Sequence, residues 1–240
     1  MKLTDFKALT FDCYGTLIDW ETGLFAALAP LAKRASRPRS REQALEDFGK
    51  YEYSQEHYTP TKKYSELLAT VYKRLAEQWG TPADWNECLA FGRSIKDWPA
   101  FADSPAALKY LKQHYRLYPL TNVDNESFAH SNRRLEVEFD GVMTAQDIGS
   151  YKPTLRNFEY LLEQLGRHGI ERNQVLHVAQ SLLHDHAPAN ELGLASCWID
   201  RRHGKAGGGA TRGPQNMPHY DFRFTSLGEL AEAHRKELAG

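Results

Sequence analysis

Four short strings hold the residues best suited to chemistry in this 240-residue chain. They are Phe11-Asp12-Cys13-Tyr14-Gly15-Thr16-Leu17, Leu120-Thr121-Asn122, Tyr151-Lys152-Pro153 and Val178-Ala179-Gln180-Ser181-Leu182-Leu183-His184-Asp185. An aspartate, a hydroxyl–amide pair, a lysine and a second aspartate thus arrive in order at the tips of short apolar runs. Taken singly, such residues read as helix caps, turns or solvated loop positions. Together they are the ingredients of a polar reaction site: carboxylates for nucleophilic or acid–base work, a cation, and neutral donors.

The elements that must position them follow from the pattern of apolar runs. Residues 8–11, 117–120, 141–143, 175–179, 195–199 and, more weakly, 222–224 read as strands. Most lack polar alternation, as strands buried on both faces of a parallel sheet do. Helical stretches over 106–114, 154–165 and 185–192 separate the later strands, the first preceded by Asp103-Ser104-Pro105. Strand and helix alternate from residue 100 onward, so the fold class is α/β, a Rossmann-like doubly wound parallel sheet. In such sheets function collects at the carboxyl ends of the strands, where the four strings lie.

Residues 17–99 break that rhythm. They hold no convincing strand, breakers at Pro30, Pro38, Pro60 and Pro82, and four helical stretches over 24–33, 41–56, 62–79 and 86–95. One strand before this block and the rest after it predict a helical insertion over 17–96, within a core of residues 1–16 and 97–240. The Gly-rich stretch Gly204 to Gly213 reads as a mobile loop.

Composition narrows the function classes. Thirty Lys and Arg against 31 Asp and Glu give a net charge of −1, so nothing pulls nucleic acid or an acidic membrane surface toward the chain. No apolar run reaches the roughly 18 residues of a membrane span, and the start of the chain does not read as a signal peptide. Cys13, Cys88 and Cys197 have no metal-binding spacing and suit a reducing compartment. The expectation is a cytoplasmic protein with neither nucleic-acid nor membrane partner.

With these strings in this order, the sequence resembles the haloacid dehalogenase superfamily over essentially its full length. Asp12 matches the family's nucleophile, Thr121 its hydroxyl after the second strand, Lys152 its lysine and Asp185 its acid after the fourth. The helical block falls where the family inserts its cap, so the resemblance implies a core with an α-helical lid over the strand ends.

Departures from the family's phosphatase form bear on the reaction. Tyr14 stands where a second aspartate would serve as acid, and Ala179-Gln180 where a Gly-Asp pair would help hold Mg²⁺. Only Asp12 and Asp185 remain of that carboxylate set, which argues against phosphoryl chemistry with a bound Mg²⁺. A leaving group that departs as an anion needs neither metal nor acid. The string Asp12-Cys13-Tyr14-Gly15-Thr16-Leu17 resembles the L-2-haloacid dehalogenase branch. That resemblance implies no cofactor and no metal, a small haloacid as the partner molecule, and a homodimer as the assembly.

On this reading Asp12 attacks the α-carbon of an L-2-haloacid, displaces halide and forms an aspartyl ester that water cleaves to a 2-hydroxy acid. Lys152 holds Asp12 as an oriented anion, Thr16 orients it, and Asp185 positions or activates the water. Thr121 and Asn122 bind the substrate carboxylate or halide, Tyr14 forms part of the pocket wall, and Gln180 and Ser181 supply polar contacts. No arginine can be assigned to the substrate. Lys50 is the candidate cation of the helical block, and Arg34, Arg37, Arg39 and Arg41 read as solvated. His184 and His186 read as surface or helix-start residues. Two alternatives stand beside this reading: an Mg²⁺-dependent phosphatase of a small phosphate ester, and a non-catalytic binding protein on the same fold.

Overall fold

The computed structural model describes residues 1–205 and 207–240. Six strands form one parallel sheet: β1 (Ala8–Phe11), β2 (Arg116–Thr121), β3 (Met143–Thr144), β4 (Val175–Ala179), β5 (Ala195–Ile199) and β6 (Phe222–Phe224). Their order is β3-β2-β1-β4-β5-β6. Leu9 of β1 lies opposite Leu117 of β2 on one side and Leu176 of β4 on the other. The chain first builds outward from β1 to β3, then returns to lay β4 against the free side of β1. The winding therefore reverses between β1 and β4, and the crevice at their carboxyl ends is where open sheets of this kind bind ligands.

The sheet is covered on both faces, which explains why its strands read as apolar runs. Leu9, Phe11, Leu117, Leu176, Val178, Cys197 and Ile199 pack into one buried cluster. Ala8, Tyr118, Leu120 and Val175 pack into another, with Phe158, Leu161 and Leu165.

Among the described residues there are ten α-helices: α1 (Trp20–Arg34), α2 (Arg41–Tyr58), α3 (Tyr64–Gln78), α4 (Trp85–Gly92), α5 (Ser104–Leu111), α6 (Asn125–Leu135), α7 (Ala145–Ile148), α8 (Leu155–Arg167), α9 (Ala187–Glu191) and α10 (Leu227–Ala239). Among the described residues, no helix is long and apolar enough to cross a membrane. The four-helix block α1–α4 occupies the chain between β1 and β2, as the sequence pattern led one to expect. Its buried Leu67, Leu68, Val71 and Leu75 belong to the same cluster as Leu9 and Phe11, so apolar packing is continuous from the sheet into the block.

Pro30 lies inside α1, within the helical stretch expected over 24–33, rather than breaking it. Burial of Leu24, Leu28 and Leu31 on one face outweighs the roughly 3 kcal/mol that an interior proline costs. The Gly-rich stretch, apart from Ala206, which lies outside the described residues, is tied down rather than free. Gly209 N–H donates to Glu42 Oε1 (2.7 Å) and Ala210 N–H to Glu21 Oε1 (3.0 Å), while Arg202 bridges Glu21 and Glu42. Ala210 itself is buried, and its carbonyl lies so close to Gly49 of α2 that a Cβ there would come within 2.2 Å. Finally, helices α6 and α10 were not anticipated. α6 carries few apolar residues, but Asp124 accepts the Ser127 N–H at 2.9 Å as its N-cap.

Candidate active site

Asp12 leaves the end of β1 with only 7% of its surface exposed. Both of its oxygens are held: Lys152 Nζ donates to Oδ1 (2.9 Å) and the Thr16 hydroxyl to Oδ2 (2.6 Å). Thr16 is fixed in turn, because Gln180 N–H donates to its hydroxyl at 2.8 Å and the Arg201 guanidinium to its carbonyl at 2.9 Å. Lys152 also donates to Asp185 Oδ1 (2.6 Å) and to the Leu120 carbonyl (3.0 Å). One buried ammonium therefore serves two buried carboxylates.

Asp185 sits in a wide turn, Leu182–His186, that follows β4. His177 of β4 lies 3.0 Å from the same Oδ1 and is held from behind by Thr10 at 2.8 Å. Asp185 Oδ2 is buried with no hydrogen-bond partner, leaving one carboxylate oxygen of the pair open to a water or a substrate atom.

Burial and charge set the ionisation. Burial raises the Asp12 carboxyl above its ordinary value, against the pull of the Lys152 ammonium. Burial also pushes Asp185 upward, but Lys152 and His177 outweigh it and hold that carboxyl below the usual range. The Lys152 ammonium is lowered by burial, yet its two carboxylates more than compensate and keep it charged.

The cleft above these groups is small, about 50 Å³. Asp12, Lys152, Asp185, Tyr14, Thr121, Asn122 and Ser181 all line it, whereas Thr16 and Gln180 support it from outside. The neutral donors differ in availability. Asn122 Nδ2 donates to Glu56 Oε1 and to the Lys152 carbonyl (3.1 Å each), and its oxygen accepts the Lys152 N–H. Ser181 Oγ caps the following turn by accepting the His184 N–H at 3.0 Å. Thr121 Oγ1 is buried and has no partner. Tyr14 forms part of the wall, its hydroxyl 2.7 Å from Ser131 Oγ and its ring edge-on to Trp98.

Sequence reasoning missed Glu52 and Glu56. They lie one turn apart on α2, are 8% and 7% exposed, and both line the cleft. Tyr64 donates its hydroxyl to Glu52 Oε1. Burial pushes the Glu52 carboxyl up to about 7, and the Tyr64 bond only partly offsets this. Burial and the neighbouring Glu52 raise Glu56 well above the carboxylate range. The four-residue spacing was a legible signal, since positions i and i+4 share a helix face.

The candidate cation Lys50 points elsewhere, exposed and 3.9 Å from Asp47. Arg34 pairs with Glu87, Arg39 contacts Asp47 and Trp79, Arg41 lies over Phe25, and Arg37 is exposed. None of these lines the cleft. His186 is not at the surface: it is buried, 2.9 Å from Ser196 Oγ and 3.0 Å from the Ala179 carbonyl. His184 lines the cleft, half-buried, and burial lowers its imidazole to about 4.

The donor set fits a hard divalent cation poorly. Its two carboxylates already share an ammonium, and the position of a third is filled by Tyr14, whose hydroxyl turns to Ser131. Among the described residues, no group of three or more His, Cys, Asp or Glu is placed to hold a metal ion.

Comparisons with known proteins agree with this fold. A haloacid dehalogenase-like hydrolase family model matches residues 6–180. The pyrimidine 5'-nucleotidase YjjG of Escherichia coli (strain K12) is 34% identical over 65 residues, which are 27% of this chain and 28% of that protein. The match thus spans less than a third of the relative's length. The L-2-haloacid dehalogenase PA0810 superposes with a TM-score of 0.76 at 20% identity, over 98% of this chain and all of the other. The L-2-haloacid dehalogenase from Xanthobacter autotrophicus with chloropropionic acid covalently bound superposes with a TM-score of 0.77 at 16% identity, over 96% and 98% of the two chains. At these identities the solved structures speak to the fold.

Proposed function

The chain belongs to the haloacid dehalogenase-like hydrolase family, and on that premise we propose that it hydrolyses a carbon–halogen bond of a small organohalide, of the 2-haloacid type, through an ester on Asp12. The carrying observation is the clamp on Asp12: both oxygens are oriented by Lys152 and Thr16, while Tyr14 stands in the place of an acid for the leaving group. The Xanthobacter autotrophicus L-2-haloacid dehalogenase, with chloropropionic acid covalently bound, supports the same chemistry.

In this reading the helical block over 17–96 is a lid, and Glu52, Glu56 and Tyr64 form its contribution to the cleft. An Asp12 oxygen attacks the carbon bearing the halogen; the C–O bond forms as the C–X bond breaks, and halide leaves with the electron pair. The carbon is inverted, so an L-2-haloacid would give a D-2-hydroxy acid. Water then adds to the ester carbonyl of Asp12, with Asp185 Oδ2 as the open acceptor for one water proton. Collapse expels the alcohol, restores the Asp12 carboxylate and releases one proton overall. Lys152 stays charged throughout and keeps the two carboxylates from repelling each other.

Halide release from 2-chloro-, 2-bromo- and 2-fluoroacids in the presence of EDTA, beside Asp12→Asn, tests this reading. Release by the native enzyme alone is expected; silence across the whole panel removes the haloacid assignment.

A second reading, an Mg²⁺-dependent phosphatase, is favoured by the local likeness to the nucleotidase and by the unpartnered Asp185 Oδ2. It requires p-nitrophenyl phosphate turnover that rises with millimolar Mg²⁺, and a flat response excludes it.

A further inference from the structure

Lys152 is the only Lys or Arg lining the cleft among the described residues, and it is already bound to Asp12 and Asp185. Opposite it, α2 presents Glu52 and Glu56, which are buried and form no ion pair among the described residues. Each gives one oxygen to a neutral donor, the Tyr64 hydroxyl or the Asn122 amide. An anionic substrate end placed in this cleft would meet four carboxyl groups and no spare cation.

The remaining walls point the same way. Tyr14, Trp20 and Tyr64 line the cleft with aromatic surface, the partner that ammonium groups share with carboxylates. Thr121 Oγ1, in a side chain only 1% exposed on the same cleft, lacks a partner and offers an acceptor. Acids, aromatic faces and a hydroxyl make a receptor for a cation, and among the described residues no arginine lines the cleft to favour a lone carboxylate.

We propose that Glu52 and Glu56 are specificity-determining residues that select, among 2-haloacids, those that also carry a protonated amine over those whose only charge is the carboxylate. The proposal rests on the organohalide reading for the reaction, but the selectivity resides in binding and is measured without turnover. Binding sets the ammonium against the lid carboxylates, so two buried acids gain the counter-charge they lack.

Calorimetric titration at pH 8 with propylammonium and with propionate is the test, on the native protein and on Glu52→Gln, Glu56→Gln and the double variant. Propylammonium should bind the native protein about tenfold or more tightly than propionate, and each substitution should weaken it by about tenfold. Equal or tighter propionate binding to the native protein overturns the proposal whether or not the variants fold. Ammonium affinity unchanged in folded variants overturns it as well. Halide release from 3-chloropropylammonium and 3-chloropropionate, measured in parallel, reports on the reaction separately. Ammonium-selective binding without halide release from any organohalide would keep the amine site and discard the dehalogenation.

Discussion

The Asn122 side-chain amide holds the Lys152 backbone through both of its atoms: the Lys152 N–H donates to Asn122 Oδ1 at 2.7 Å, and Asn122 Nδ2 donates to the Lys152 carbonyl at 3.1 Å. The strand end after β2 is thereby fastened to the loop that delivers the ammonium. Replacing Asn122 with alanine should lower kcat about 10–100-fold by letting Lys152 drift from Asp12. Steady-state kinetics, with a crystal structure of the variant, would check this. A fall in kcat with Lys152 unmoved would assign the amide to substrate contact instead.

Lys152 should also matter for stability. Substituting it with methionine leaves Asp12 and Asp185 buried without their counter-charge. A cost of about 3–5 kcal/mol is expected in urea unfolding, together with loss of turnover. A further Asp185→Asn change in that background should recover part of the lost stability, since one of the two stranded charges is then gone.

The proposed ester chemistry would leave a mark on Asp12. A single turnover in ¹⁸O-water should place the heavy oxygen first in the Asp12 carboxylate rather than in the product alcohol, because water adds to the ester carbonyl. Mass spectrometry of the peptide containing Asp12 reads this directly. Label appearing only in the product would mean that water attacks the substrate carbon itself.

The lid carboxyls give stability a pH dependence whose sign is opposite to that of a salt-bridged acid. Glu52 titrates at about 7 in the folded chain against an ordinary 4.5, so the native state holds its proton more tightly than the unfolded state does. The stabilisation is complete below about pH 4.5 and is lost as pH rises through 7. Its size is about 2–3 kcal/mol. Glu56, which faces Glu52 from the next turn, is raised in the same direction. Glu52→Gln should flatten the fall in unfolding free energy between pH 5 and 8, roughly in that proportion.

Gly49 is required by proximity. A methyl group there meets the Ala210 carbonyl, so Gly49→Ala should cost about 1–3 kcal/mol. Hydrogen exchange of the Gly209 and Ala210 amides should speed up while the β1 and β4 amides keep their protection.

The sheet and the candidate nucleophile Asp12 were legible because their signals are local. Buried parallel strands are apolar throughout, Asp12 follows β1 directly and Thr121 ends β2, while Lys152 and Asp185 lie in the connections after β3 and β4. Pro30 reads as a breaker because its cost is local, while the packing of Leu24, Leu28 and Leu31 that carries the expected helix through it is tertiary. Glu52 was hidden in the stretch where Lys50 drew attention, since composition alone does not say which side of α2 faces the cleft. His177 was illegible for another reason: one residue inside an apolar strand reveals its role only when β1 brings Thr10 beside it.

The latch formed by Arg202, Gly209 and Ala210 on Glu21 and Glu42 joins residues some 160–190 positions apart. On the ribosome the four lid helices are complete about a hundred residues before their latch is made, a delay on the order of ten seconds. Over that interval the helical block is held by its hinge and by contacts such as Asn122 to Glu56 and Ser65 to Asp124, without the latch. Lys152 and Asp185 have yet to arrive for part of it, leaving Asp12 without its counter-charge. The site therefore completes its carboxylate pair and its latch only in the last quarter of synthesis, and a chain truncated before residue 202 would retain Asp12 and Lys152 but not the latch on the helical block.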